Sequence, residues 1–458
     1  MVSDQIKHFL HRASFGLSLP TNSPEFDAAD WINKSIDNRP IKIIEKTQIT
    51  SETMRGGKNA KQSLTRSRDN LMALNTAWVR QLTEPSVVFR EKMTLFWHDH
   101  FACRARFPYL AQQQNNILRQ HALGNFTNLL SAIAKDPAML QFLNNQQNKK
   151  NNPNENFARE LLELFTLGSG HYTEDDIKNG ARAFTGWSFN PASGKFFFRE
   201  KVHDHGMKTF KGKSGKYSGD DILNIILEDK QTARFLTEKI WRYFVRDSEV
   251  DPKIIDPMAA RFYQSDYNIK KLLTEIFSSS LFYNPQVIGN RIKSPVELIA
   301  GIVAQSGGSF ENPQAVLFIQ RALSQVLFLP PNVGGWPAGT EWIDSSSLTF
   351  RMALPALLLE GSQTDIEAKD DGDANNTINL LNTKKLTLTV DWDALNNQFG
   401  KSNADETLAA VEDYLLARPA SEVNNKIVRA YIGKSKSDPE FLKKAFIGYM
   451  SLPEYQLS

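Results

Sequence analysis

Two histidines flank an aspartate in Phe96-Trp97-His98-Asp99-His100-Phe101. Imidazoles beside a carboxylate suit a divalent transition metal such as zinc, iron or copper. On a regular helix, residues i and i+2 point about 200° apart, so His98 and His100 share a metal only where the helix ends or distorts. Pro108 places such an ending close by. The alternative is a helix C-terminus where the imidazoles meet orphan carbonyls and pack with Trp97. A second pair, His203-Asp204-His205, precedes Lys208 on an expected loop. His203 could complete a site begun by the first pair, and a loop His-Asp with a nearby Lys is also a shape suited to substrate contact.

The polar segment Asn154-Glu155-Asn156-Phe157-Ala158-Arg159-Glu160-Leu161-Leu162-Glu163 carries an apolar helical face through Phe157, Leu161 and Leu164. Asn156, Glu160 and Glu163 fall at i, i+4 and i+7, and carboxylates there could hold a metal or serve as general base. Asn154 and Asn156 at the helix start would favour an anionic group. Glu155 and Arg159 at i, i+4 equally suit an intrahelical ion pair. In Ala181-Arg182-Ala183-Phe184-Thr185-Gly186-Trp187 the small residues permit close packing, and Arg182 is expected to reach Glu160. Trp336, on the Pro- and Gly-rich stretch Pro330 to Trp342, is either a ring platform for a ligand or a structural clamp. A Walker lysine loop, GxGxxG, GxSxG, HExxH and CxxC are all absent, which argues against P-loop, nicotinamide and serine hydrolase chemistry.

The elements that must position these groups read as helices. Leu71, Leu74, Trp78 and Leu82 form one stripe, and Met93, Phe96, Trp97 and Phe101 another. Asn152-Pro153 with Glu155 suggests a capped helix start, as do Thr173 with Asp176, for a helix over 174–187, and Ser294 with Glu297. Strand signals are confined to 195–199 and 386–390. The expected fold is therefore mainly α: a large multi-helix domain with a minor β-hairpin excursion. The main domain covers 1–360, with a short β and loop insertion at about 189–218. A polar linker over 361–385 leads to a helical segment, 386–458, that packs back on the body. Hydrophobic residues make up 41% of 458, enough for a sizeable core.

Charge is nearly balanced, 54 basic against 51 acidic residues, so no nucleic-acid partner is expected. The basic run from Arg55 to Arg68 reads as a solvated loop. The single cysteine, Cys103, excludes an intramolecular disulfide. No apolar run is long enough to span a membrane. The N-terminus lacks a signal-peptide pattern, so the chain as it stands reads as cytoplasmic, or as exported if a signal has been removed.

These segments, in this order, resemble one bacterial family, catalogued as domain of unknown function 1800. The matching pieces also include His11-Arg12-Ala13-Ser14-Phe15-Gly16, Arg90-Glu91-Lys92, Pro331-Asn332-Val333-Gly334-Gly335-Trp336 and Ser451-Leu452-Pro453-Glu454-Tyr455-Gln456. The family pattern more often has Asn where this chain has Asp99, which weakens Asp99 as an obligatory ligand. The resemblance brings no accepted reaction with it. It implies that members are often exported and often encoded beside a sulfatase-like protein, the one partner it suggests.

Two readings follow. In the first, a metal-assisted hydrolase or related enzyme, His98, His100 and His203 bind a divalent transition metal. Glu160 is ligand or general base, Arg159 and Lys208 stabilise developing negative charge, and Asn154, Asn156, Arg182, Trp187 and Trp336 meet the substrate. In the second, a non-catalytic helical binding or assembly protein, the polar motifs fix helix packing and a sulfatase-like protein is the partner. Convergence around an open pocket favours the first; burial with satisfied polar atoms favours the second.

Overall fold

A computed structural model describes residues 4–16, 27–44, 60–191, 193–248, 250–310, 312–361, 386–433 and 439–458. The expected linker, apart from Gly361, and residues Arg55 and Lys58 of the basic run lie outside them. Arg66 and Arg68 are exposed, but on the helix Ala60–Leu82 rather than on a loop.

The fold is mainly α, and its described strands form three small antiparallel pairs. Trp187–Asn190 pairs with Lys195–Phe198, Lys208–Phe210 with Lys213–Gly215, and Ser309–Phe310 with Leu388–Thr389. The two strand signals in the sequence thus sit in different pairs. The capping boxes at Thr173 and Ser294 are both formed. Two expected boundaries move. The helix expected from Pro153 starts at Asn156, because Asn148 accepts the Asn154 N–H and Asn154 in turn accepts the Asn156 N–H. The helix expected over 174–187 ends at Ala183, since Trp187 is drawn into the first strand pair.

Apolar side chains gather in two cores. One contains Phe9, Phe89, Met93, Trp97, Phe126 and Phe244. The other contains Trp78, Leu95, Ile299, Leu358 and Phe446, the last from the C-terminal helices. The helix Val88–His100 supplies residues to both, so its charged residues Glu91 and Lys92 are buried where the cores meet.

Candidate functional site

The helix Val88–His100 ends at the histidine pair, and the two imidazoles diverge as the i, i+2 spacing requires. His98 is buried, and its Nε2 accepts the Phe328 N–H at 3.1 Å. That bond puts the ring proton on Nδ1. Trp78 stands edge-on to the ring at 4.9 Å, and Trp336 lies 5.4 Å away. Burial, and then the charge of Arg119, pulls the His98 pKa down to about 3. His100 Nε2 lies 3.1 Å from the Phe165 carbonyl, and Nδ1 3.4 Å from Lys239 Nζ. Burial and then Lys239 hold His100 well below the usual imidazole range.

The two carbonyls facing this corner come from a π turn, Leu161–Thr166. Its wider hydrogen bonding leaves the Leu164 and Phe165 carbonyls for Lys239 and His100. Asp99 points to the Gly-rich loop, where its Oδ1 accepts the Trp336 N–H at 2.8 Å. A Cβ at Gly335, where φ is +89°, would lie 2.4 Å from that oxygen, so this close approach needs glycine.

The remaining motifs gather around the helix Glu174–Ala183. Arg159 bridges Glu155 at 3.3 Å and Glu174 at 2.9 Å, on the surface. Glu160 is half-buried, and burial followed by repulsion from Glu163 raises its carboxyl. Glu163 accepts from Tyr172 Oη at 2.8 Å. Asn156 Nδ2 reaches the Leu143 carbonyl. Arg182 does not pair with Glu160; its Nε donates to Asp204 at 2.7 Å, because the loop after the first hairpin folds back over this helix. Lys208 is buried and donates to the Asp204 and Gly206 carbonyls of its own loop. His203 Nδ1 lies 2.8 Å from the Thr185 carbonyl. Trp187 packs edge-on against Phe184 and Phe196.

The sequence motifs therefore separate into two groups. His98, Asp99 and Trp336 form one, with His100 joined to the π turn. Asn154, Asn156, Arg159, Glu160, Arg182, Trp187, His203 and Lys208 surround the second. Among the described residues no three His, Cys, Asp or Glu side chains stand where they could hold a metal ion. A metal on His98 Nε2 would have to displace the Phe328 N–H, and one on His100 the Phe165 carbonyl or Lys239.

The family model described as a protein of unknown function, DUF1800, matches residues 8–457. The chain belongs to the DUF1800 family. No curated protein and no solved structure matches it. No described helix of this DUF1800 protein is long and apolar enough to cross a membrane.

A further constellation lies around Glu297. Glu297, from the capping box of the helix Pro295–Ser306, is buried and accepts from Lys92 Nζ at 2.6 Å and Arg291 Nη1 at 2.8 Å. Both cations and Glu297 are buried, as are Arg12, Lys293 and Arg351 nearby. The signals existed: Arg12 and Lys92 lie in the segments that carry the family resemblance, and Glu297 in a capping box. Each had an ordinary structural meaning of its own, and nothing in the spacing linked them.

Proposed function

We propose that this DUF1800 protein is a non-catalytic helical binding or assembly protein whose family motifs set its architecture. One observation carries the reading: the imidazoles of His98 and His100 are buried in the core and bonded to other elements through three of their four nitrogens, His98 Nδ1 lacking an acceptor among the described residues. His98 Nε2 receives a backbone N–H, and both His100 nitrogens have partners. Burial keeps both rings neutral, which suits a fixed hydrogen-bond link between helix ends and loops better than proton transfer near pH 7. The sulfatase-like protein suggested by the resemblance is the partner this reading takes.

The test is His98→Gln with His100→Asn. The double variant is expected to lose several kcal/mol of stability in urea unfolding, about 1–3 per broken buried link. Wild-type protein purified without a His tag is expected to hold no stoichiometric metal by elemental mass spectrometry. Near-stoichiometric metal that is lost in a folded double variant would sink the reading.

A second reading, a hydrolase, draws on Glu160, a half-buried carboxyl with a raised pKa beside Glu163. Glu160 would act as general base, with Arg159 and Lys208 against negative charge and Asn154, Asn156, Arg182 and Trp187 around the substrate. In its metal-assisted form His98, His100 and His203 would first leave their present hydrogen bonds. Turnover of any ester in a chromogenic panel, abolished by Glu160→Gln with the fold intact, would establish it.

A further inference from the structure

The buried charge around Glu297 does not balance. Five basic side chains, Arg12, Lys92, Arg291, Lys293 and Arg351, are each at least nine-tenths buried, and Glu297 is the carboxylate buried among them. They come from four parts of the chain: the helices Asp4–Ala13, Val88–His100 and Ser345–Glu360, and the segment entering Pro295–Ser306. All sit within electrostatic reach of Glu297, and Lys293 feels Lys92 and Arg351 while Arg12 feels Arg291. Asp247, from an exposed position, adds a second negative charge felt by Arg12 and Arg291.

Hydrogen bonding is incomplete in the same place. Arg12 spends Nη2 on the Val287 carbonyl and Asn290, while its Nε and Nη1 have no acceptor among the described residues. Arg351 spends Nη2 on the Lys293 carbonyl and leaves Nε and Nη1. Arg291 Nε and Lys293 Nζ also lack acceptors among the described residues, and neither amide atom of buried Gln456 has a partner there. Lys293 Nζ rests over the Tyr455 ring at 3.8 Å, an attraction that supplies no counter-charge. Water would satisfy these donors without offsetting the charge. Deprotonation can relieve the two lysines, but guanidinium groups stay charged in proteins. Three buried guanidiniums would still face Glu297 and the exposed Asp247, with Asp99 reached by Arg291 as well as by Lys239.

We propose that this buried cluster of Arg12, Arg291, Lys293 and Arg351 binds a tetrahedral oxyanion, a phosphate or sulfate group. Such a group presents several acceptor oxygens to the donors that lack partners here, and arginine meets it by two parallel hydrogen bonds. It carries the negative charge the cluster lacks, and binding it stabilises the fold by mass action. The group is either the free ion or the head of a small organic ester, since the same donors serve both. This site is distinct from the His98 and Glu160 groups, and its test is independent of theirs.

The experiment starts from full-length protein purified without phosphate or sulfate. Ion chromatography after denaturation, with native mass spectrometry before it, looks for a bound group. About one equivalent of phosphate or sulfate identifies the free ion; a larger adduct that carries phosphorus or sulfur identifies an ester. If the protein arrives empty, inorganic phosphate and sulfate are titrated against chloride at constant ionic strength. A saturable rise in melting temperature specific to the oxyanions is then expected. Lys293→Met and Arg351→Met should each weaken the apparent affinity about tenfold or more, the loss of one charge-assisted contact. Lys293→Met decides the matter where Arg351→Met does not fold. No bound group together with equal responses to phosphate, sulfate and chloride would overturn the proposal.

Discussion

Glu91 and Lys92 are neighbours on one helix, and the charges they bury are treated in opposite ways. Beside Glu91, one carboxylate meets one guanidinium in direct contact, with the buried Arg90 as the further cation in its reach. Arg119 Nη2 lies 2.9 Å from Glu91 Oε2, and Trp78 and Gln81 donate to the same carboxylate. Arg119 Nε donates to Glu91 Oε1 as well, and further Nη donors end on Asn115 and Asn116. Beside Lys92, one buried carboxylate serves two direct cations and stands near three more. A closed pair of this kind cross-links helices and has no capacity left for a ligand. An unbalanced cluster keeps part of its desolvation cost uncompensated, and only another negative group removes it. Burial of charge is therefore not what separates scaffold from site; the balance of charge within the burial is.

Removing a cation should change stability with opposite sign on the two sides. Arg119→Met leaves Glu91 buried without its counter-ion, and urea unfolding should show a loss of about 3–5 kcal/mol. Lys293→Met removes a charge that Lys92 and Arg351 already repel. In phosphate- and sulfate-free buffer its stability should be unchanged or higher by about 1 kcal/mol. A loss for Lys293→Met as large as that for Arg119→Met would break the contrast, because Lys293 would then hold the fold as Arg119 does.

The Lys92 side should also reveal itself in alkali. Burial, outweighing the pull of Glu297, lowers Lys293 to about 7 and Lys92 to about 8, both below the ordinary 10.5. Between those values and 10.5 the unfolded chain binds more protons than the folded one, so stability rises with pH. From pH 7 to 8.5 the gain should be about 2 kcal/mol, followed by melting temperature in oxyanion-free buffer. Lys293→Met should remove most of it. Saturating phosphate or sulfate should flatten it as well, since a bound anion keeps the lysines charged. A rise untouched by both would assign the slope to other groups.

Much of the scaffold is legible in the sequence because its causes are local. The stripe through Leu74, Trp78 and Leu82 needs only helical spacing, and Thr173 with Asp176 needs only three residues of separation. The displaced start at Asn156 was hidden because Asn148, six residues before Asn154 and held by the remote Ala181 carbonyl, captures the preceding loop. The divergence of His98 and His100 follows from geometry within one helix, whereas the partners that occupy them, Phe328 and Phe165, depend on tertiary packing. Arg182 illustrates the same limit: the sequence offers it no obvious partner beyond Glu160, and Asp204 reaches it through a returning loop. The basic cluster was least legible, since four remote segments each contribute ordinary-looking residues and only their assembly makes the charge unbalanced.

Asp99 gives the sharpest form of the comparison, a half-buried carboxylate on the same helix. Its carboxylate has the Trp336 N–H as donor and feels Lys239 and Arg291, yet burial outweighs them and raises its pKa from 3.8 to about 6. A folded pKa above the unfolded one means that this group's contribution is whole below pH 3.8 and is lost as pH rises through 6. Asn keeps an oxygen for the Trp336 N–H and carries no charge. Asp99→Asn should therefore raise stability by about 2 kcal/mol at pH 8, with the gain gone near pH 4, as melting temperatures at the two values would record. A loss at pH 8 would instead mean that the ionised carboxylate is wanted there with Lys239 as its counter-ion. In that case the corner between Asp99, His100 and Lys239, and not the Glu297 cluster alone, would hold charge kept for a ligand.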